Sequence, residues 1–373
     1  MIYFDSAGSF PLMDEVKNSL IESIDKYSAN PSADHLPGTY ASGEIERVRE
    51  QVADMISAMP SEIIFTSGAT ESNNLAIKGL LNSERFKNKT HIVTSKIEHK
   101  CILSVCNYLA SQGYDITYIS PKPDGSICPN DINNALRTNT ALVSIMHVNN
   151  ELGTVNPISE IGKLCFERAI LFHTDAAQSF GKVDIDVDDM NIDLLSFSAH
   201  KIGGMKGVGG LYVRDARDID ITPVIHGAGQ EQGIRGGTVA APLIASFGSA
   251  CTHFPLRYQR TAFIKLKQYL QEQLEKINIR YEINGANTLP HIISITLPEV
   301  DVTTFLLENR DKFALAQGSA CSSKEVEPSY VLKNIGLSRH NAERTIRLSM
   351  DFDTTSADFD ILTNALTKNR VTN

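Results

Sequence analysis

An α/β fold built on a largely parallel sheet is what this sequence predicts, and three observations carry it. Between about Ser61 and Val213, apolar runs of strand length recur: EIIFT, HIVTS, ITYIS, ALVSIMHV, AILFHTD, DLLSFSAH and GGLYV. Several are apolar almost throughout and do not alternate, as strands buried on both faces do. Amphipathic segments such as ESNNLAIKGLL and PISEIGKLCFERA separate some of them and supply helices to cover both faces of such a sheet.

After about Thr252 the pattern changes. A charged helical segment, RTAFIKLKQYLQEQLEKI, is followed by strand-like RYEING and HIISITL, a helix in DVTTFLLENR, and TIRLSMD near the end. This predicts a smaller α+β unit. The expected division is a large domain over 13–258 and a small one made of 1–12 and 259–373. No internal repeat or low-complexity tract is present.

Composition narrows the function classes. The 373 residues are 42% hydrophobic and 21% charged, enough for a sizeable core. Net charge is −9 and the 35 Lys and Arg are scattered, so no basic stripe points to direct nucleic-acid binding. The opening MIYFDSAGSFPLMDEV lacks the basic-then-apolar layout of a secretory signal, and no apolar run approaches the ~20 residues of a membrane span. A cytoplasmic protein is expected. The six cysteines (101, 106, 128, 165, 251 and 321) form no CxxC, so neither a disulfide framework nor a metal site is expected. All but Cys321 are expected to be buried apolar fillers.

In an open α/β sheet, ligands sit beyond the carboxyl ends of the strands. EIIFT is followed there by SGATESNN, a glycine turn opening a helix suited to a phosphate at Gly68, Ala69 and Thr70. HIVTS leads to Lys96, Glu98 and His99; ALVSIMHV to Asn149, Asn150 and Glu151; AILFHT to Asp175 and Gln178; DLLSF to Ser198, His200 and Lys201. Singly, each has a plain structural reading as a turn, a cap or a satisfied core group. One ligand would use them together: a phosphate at Gly68 to Thr70, a flat ring beside His99, a ring nitrogen facing Asp175, a phenolic oxygen at Gln178 and an aldehyde at Lys201. That ligand is pyridoxal 5′-phosphate. Lysine adds to an aldehyde only when neutral, and desolvation near other cations brings it toward that state. The glycines after Lys201, in GGMKGVGG, would let backbone approach the cofactor. A nucleotide phosphate loop does not fit, because GMKGVGG lacks the G-x-x-x-x-G-K-[ST] order and precedes a strand.

The segments FTSGATESNN, IEHKCIL, HVNNELGTVNPI, HTDAAQSFG, SFSAHKIGGMKGVGGLYV, GAGQEQGIRGGT, GSACSS with EPSYVL, and TIRLS follow one another over nearly the whole chain. In them the sequence resembles the NifS/IscS-like cysteine desulfurases of the class V aminotransferase superfamily, on the aminotransferase type I fold. The resemblance implies that Lys201 carries the cofactor and shuttles a proton, that His99 stacks on the ring and serves as acid or base, and that Asp175 and Gln178 bind the ring nitrogen and phenolate oxygen. It implies phosphate contacts from Thr70, Ser198 and His200, and from Thr238 across a homodimer with shared active sites. Asn150 and Arg347 would hold the substrate carboxylate. Cys321, in the small polar segment LAQGSACSSKEVEPS, would take sulfur from L-cysteine as a persulfide, release alanine and pass the sulfur to an acceptor protein.

Departures from the family pattern are few. The opening reads YFDSAGSFP where YLDNAATTP is usual, altering Ser6 and Gly8, and Met350-Asp351 follow TIRLS where a glycine is common. These positions are expected to leave the cofactor site intact. Together with the shorter tail, they point toward a specialised sulfur route such as DNA phosphorothioation or tRNA thiolation, or a dedicated iron–sulfur scaffold. Selenocysteine lyase, another class V aminotransferase and a non-catalytic cofactor-binding scaffold are the alternatives.

Overall fold

The computed structural model describes residues 1–215, 219–316 and 328–370. The chain opens with a two-residue strand, β1 (Ile2–Tyr3). Seven strands follow between residues 63 and 213: β2 (Ile63–Thr66), β3 (His91–Ser95), β4 (Asp115–Ile119), β5 (Thr140–Ser144), β6 (Leu171–Asp175), β7 (Leu194–Ser198) and β8 (Gly209–Val213). They form one sheet in the order β2-β8-β7-β6-β5-β3-β4. From β7 through β4 every neighbouring pair is parallel, and β8 runs antiparallel to both β7 and β2.

Alternate residues of each strand enter two hydrophobic clusters, one on each face. Ile63 and Phe65 belong to one cluster and Ile64 to the other; Leu195 and Phe197 likewise oppose Leu194. Both faces are covered, which is why the runs read as continuously apolar. On the larger cluster's side Phe180 stacks on Phe197 with ring centroids 4.5 Å apart.

The run ALVSIMHV continues beyond its strand. β5 ends at Ser144, and the chain runs on beside β6, the Ile145 and His147 amides donating to the carbonyls of His173 and Asp175. The segment ESNNLAIKGLL forms the helix Ala69–Asn74 and then widens into a π turn over Leu75–Gly79. A Cβ on Gly79 would stand 2.7 Å from the Thr222 carbonyl oxygen, so the glycine admits a crossing chain.

The remaining strands are β9 (Glu282–Asn284), β10 (Ile292–Thr296), β11 (Phe313–Ala314) and β12 (Thr345–Ser349). β9, β10 and β12 form an antiparallel sheet with β10 central. β1 pairs in parallel with β11, and the Asp5–Ser349 bridge ties the amino-terminal segment to β12. Among the described residues no helix is long and apolar enough to cross a membrane.

Strand register assembles the functional end of the large sheet. Thr66 and Ser198 both pair with Gly209, and Asp175 pairs with Ser196, so the ends of β2, β7 and β6 lie together. A Cβ on Gly209 would be 2.7 Å from the Gly68 Cα and 2.5 Å from the Phe197 carbonyl oxygen. A Cβ on Gly210 would be 2.4 Å from the Phe197 ring. Gly209 lets β8 run beneath the turn at Gly68 and Gly210 makes room for the Phe197 ring, so both are required by packing within the sheet.

Gly209→Ala should therefore lower the unfolding free energy by about 1–3 kcal/mol through overpacking. Gly43→Ala, in the helix Leu36–Asp54 with nothing near the added methyl, should raise it by about 0.5–1 kcal/mol. Urea unfolding of both variants checks the pair, and equal effects would refute the packing role of Gly209.

Candidate active site

A cavity of about 890 Å³ opens at these strand ends. Its walls include Lys201, Asp175, Gln178, His99, Ser198 and His200, so residues from three separated stretches of sequence converge on one space. Gly68, Ala69, Thr70, Asn150 and Arg347 border it as well.

Lys201 lies in the short 3-10 turn Ala199–Ile202 that follows β7. Gly203, at φ 67°, ends that turn in the left-handed region where a glycine is needed. The Lys201 Nζ donates to the carbonyl oxygens of Ala7 at 2.7 Å and Gly8 at 2.8 Å. Burial, reinforced by the Arg347 charge, pushes its pKa down to about 8, against the opposing pull of Asp175 and Asp5. Near neutral pH a useful fraction of the amine is thus unprotonated, the form that reacts with an aldehyde.

Asp175 closes β6 and is 5% exposed. Its Oδ1 accepts from the Ala177 amide at 2.9 Å and its Oδ2 from Asn73 Nδ2 at 2.8 Å. Gln178 sits one turn later, with Nε2 donating to the Ala7 carbonyl at 2.7 Å and a buried Oε1 that lacks a partner. His99 caps the helix Lys100–Ser111, its Nδ1 accepting from the Cys101 amide at 3.3 Å. Desolvation and the neighbouring Lys201 and Lys100 hold the imidazole below its ordinary pKa, opposed by Asp175.

The turn at 67–71 forms another wall. Gly68, at φ 145°, precedes the helix Ala69–Asn74, and a Cβ there would stand 3.3 Å from Ser198 Oγ. Across from it, His200 Nδ1 lies 3.2 Å from Ser9 Oγ. Burial and three lysines (201, 206 and 182) push the His200 pKa down to about 4, so the ring is neutral and can donate one hydrogen bond. Thr238 is exposed and lies outside this cavity. Its loop is nonetheless fastened to the turn: Arg235 pairs with Glu71 at 2.8 Å, and Glu71 accepts from the Ser67 amide at 2.8 Å. Deeper, Glu231 meets Arg49 at 2.8 Å and also accepts from the Phe65 amide at 2.6 Å.

Arg347, on β12, is 8% exposed. It donates through Nη2 to Asp5 Oδ1 at 2.5 Å and through Nη1 to the Asn150 carbonyl at 2.9 Å. Its Nε and the Asn150 Oδ1 are buried without partners, so this corner of the cavity retains capacity for a polar ligand. Cys321 lies outside the described residues.

The donor set fits pyridoxal 5′-phosphate. A depressed lysine, a carboxylate at the strand end, an imidazole and a glycine turn share one cavity, with unpartnered polar atoms on Gln178, Asn150 and Arg347.

Sequence reasoning missed four contributors. Asp5, Ala7 and Gly8 come from the opening segment, and Ala7 and Gly8 act through backbone carbonyls, which no side-chain pattern reveals. The unusual opening thus lines the site itself, through the Gly8 carbonyl that Lys201 meets. A Cβ at Gly8 would fall 2.6 Å from Asp5 Oδ2, so the residue shapes the pair that holds Arg347. The altered Ser6 and Met350 meet each other, Ser6 Oγ donating to the Met350 carbonyl at 2.6 Å. Cys101 also departs from expectation: Cys106, Cys165 and Cys251 are buried, whereas Cys101 and Cys128 are only partly so, and Cys101 borders the cavity.

The aminotransferase class-V family model matches residues 2–362. The cysteine desulfurase IscS of Pseudomonas aeruginosa is 42% identical over 366 residues, 96% of this chain and 90% of that protein. A solved structure described as SspA in complex with cysteine is 47% identical, with a TM-score of 0.86 over 95% of this chain and all of the other. A NifS-like protein superposes with a TM-score of 0.90 at 31% identity, covering 98% of both chains. Sheet, cavity and relatives agree, and the chain belongs to the class V aminotransferase family, among its pyridoxal 5′-phosphate-dependent cysteine desulfurases.

Proposed function

We propose that this chain converts L-cysteine to L-alanine in the cavity around Lys201 and leaves the sulfur on Cys321 as a persulfide. The observation that carries the reading is Lys201 itself, a lysine with a pKa near 8 in a cavity shared with Asp175 and Arg347. Cysteine as substrate is also supported by the cysteine complex of the 47% identical relative.

When bound, pyridoxal 5′-phosphate supplies an electron sink that weakens the Cβ–S bond of the amino acid. The residues around it bind and orient. Gly68, Ala69, Thr70, Ser198 and His200 would hold the phosphate, Asp175 would pair with the ring nitrogen, Gln178 would bond to the phenolic oxygen, and His99 would stack on the ring. Arg347 and Asn150 take the substrate carboxylate, which displaces Asp5 from the guanidinium. The Lys201 amine would move a proton at the substrate Cα. The Cys321 thiolate attacks the substrate sulfur; an S–S bond forms as the Cβ–S bond breaks, its electron pair stays with the carbon fragment, and that fragment leaves as alanine after taking up a proton.

Thr238 is assigned to the phosphate site of a second copy of the chain, in a homodimer. Its exposure, and the Arg49–Glu231 and Arg235–Glu71 pairs that hold its loop in place, support this. The persulfide then passes to an acceptor protein, in iron–sulfur assembly or in a specialised route such as DNA phosphorothioation or tRNA thiolation. Residues 13–258 are read as the cofactor-binding unit and 1–12 with 259–373 as the small one, on the β1–β11 pairing and the Asp5–Ser349 bridge. The helix Ala241–Arg260 crosses that boundary.

Lys201→Ala should lose the visible band of the bound cofactor and about three orders of magnitude or more of alanine formation. An alanine rate equal to wild type would overturn the assignment. Cys321→Ser should keep that band yet form no protein-bound persulfide, as read by mass spectrometry after adding L-cysteine; undiminished sulfide release would instead indicate lyase chemistry. The rate of cofactor uptake by apoenzyme should rise with pH as Lys201 loses its proton, be half-maximal near pH 8 and level off above it. A rate flat across that range would show that a different group reacts.

A further inference from the structure

We propose that Cys101 and Asn73 are positioning residues, forming a hydrogen-bonded relay that joins His99 to Asp175 and holds His99 as its Nε2–H tautomer. The inference rests on the reading of His99 and Asp175 as the cofactor's ring partners.

The relay can be followed hydrogen by hydrogen. Asn73 is fully buried, and its Nδ2 donates to Asp175 Oδ2 at 2.8 Å and to Cys101 Sγ at 3.2 Å. A side-chain amide has two hydrogens on that nitrogen, so one goes to each acceptor. The reversed amide would press Oδ1 against a carboxylate oxygen, which fixes its orientation. Cys101 Sγ is thereby an acceptor from Asn73, and its own hydrogen points onward to His99 Nδ1, 3.0 Å away. The Cys101 amide donates to the same Nδ1 at 3.3 Å. Two donors converge on Nδ1, so the single proton of the neutral ring sits on Nε2.

The surrounding groups keep the direction of these bonds. Burial, with Asp175 nearby, pushes the Cys101 thiol up to about 12, so it retains the hydrogen it donates. Thr70 also hydrogen-bonds the sulfur. Around His99, Lys201 and Lys100 disfavour a second proton, and Asp175 favours one. His99 at rest therefore offers a donor from Nε2, and the relay couples its protonation to the carboxylate assigned to the ring nitrogen. A cysteine that sequence treats as core filler thus sets the state of its neighbour.

The test uses holoenzyme labelled with 15N-histidine, with the His99 signals assigned by loss in His99→Gln. Nitrogen shifts report the tautomer, and a pH titration reports the pKa. Wild type should show the Nε2–H form. Cys101→Ala removes one of the two donors to Nδ1, which should yield a mixture of tautomers and a rise in the His99 pKa of about one unit, because the neutral form has lost a hydrogen bond. Cys101→Ser restores a donor and should return both readings toward wild type. Asn73→Ala, which leaves His99 and Cys101 in place, should move the same signals in the same direction by a smaller amount.

A Cys101→Ala enzyme with unchanged tautomer and pKa, or a Cys101→Ser enzyme indistinguishable from it, would overturn the proposal. An unmoved His99 in Asn73→Ala would refute the link to Asp175. These signals are read without substrate, so their failure is distinct from failure of the desulfurase reading, which alanine and persulfide formation test separately.

Discussion

The site depends on burying an amine that can still change its charge. Lys201 is desolvated and near Arg347, and the two carbonyl oxygens it meets, from Ala7 and Gly8, are what make its charged form tolerable. Those carbonyls are delivered by a segment almost two hundred residues away in sequence. Residues 4–8 form a seam: the Ala7 amide donates to Ser349 Oγ at 2.9 Å, the Phe4 carbonyl accepts from the Ser349 amide at 2.8 Å, and Gln178 shares the Ala7 carbonyl with Lys201. The large sheet, the carboxy-terminal sheet and Lys201 are thus fastened at one point. A disturbance on either side of the seam reaches the amine through its acceptors.

The same economy governs the other polar groups of the cavity. His200 stays neutral among three lysines because it is desolvated, and Asp175 is held by two donors on opposite oxygens. Orientation precedes ligand binding in each case, since the hydrogen bonds that fix these side chains come from the protein itself. Such preorganisation lowers the cost of arranging charge around a reacting molecule.

Much of this was legible in the amino-acid order. Strands buried on both faces write themselves as apolar runs, so the residues after HIVTS, AILFHT and DLLSF point to the open end of a sheet, and His99, Asp175, Gln178, Ser198, His200 and Lys201 do border one cavity. Urea unfolding of Gly209→Ala bears on the part that was not legible. GVGG reads as a flexible or ligand-hugging stretch, whereas half of it is strand whose missing side chains make room for a neighbouring turn. Contributions made by backbone carbonyls, as at Ala7 and Gly8, leave no trace in residue type. Cys101 and Asn73 were hidden for another reason: Asn73 joins Cys101 to Asp175 across more than a hundred residues of sequence, a tertiary fact. ALVSIMHV ran past its strand because the turn that follows is as apolar and buried as the strand.

With Arg347 taking the substrate carboxylate as proposed, its salt bridge to Asp5 would give that corner of the cavity the character of an ion exchanger. A carboxylate arriving at Arg347 does not neutralise a bare cation; it trades places with one already there. The exchange leaves the number of ion pairs unchanged, so charge alone supplies little net attraction. What tips the balance is whatever the newcomer does that Asp5 cannot, such as bonding to Asn150 Oδ1 and Arg347 Nε while its amino group reaches the cofactor. On that reading an amide or ester of the same amino acid would have to evict Asp5 without offering a charge in return.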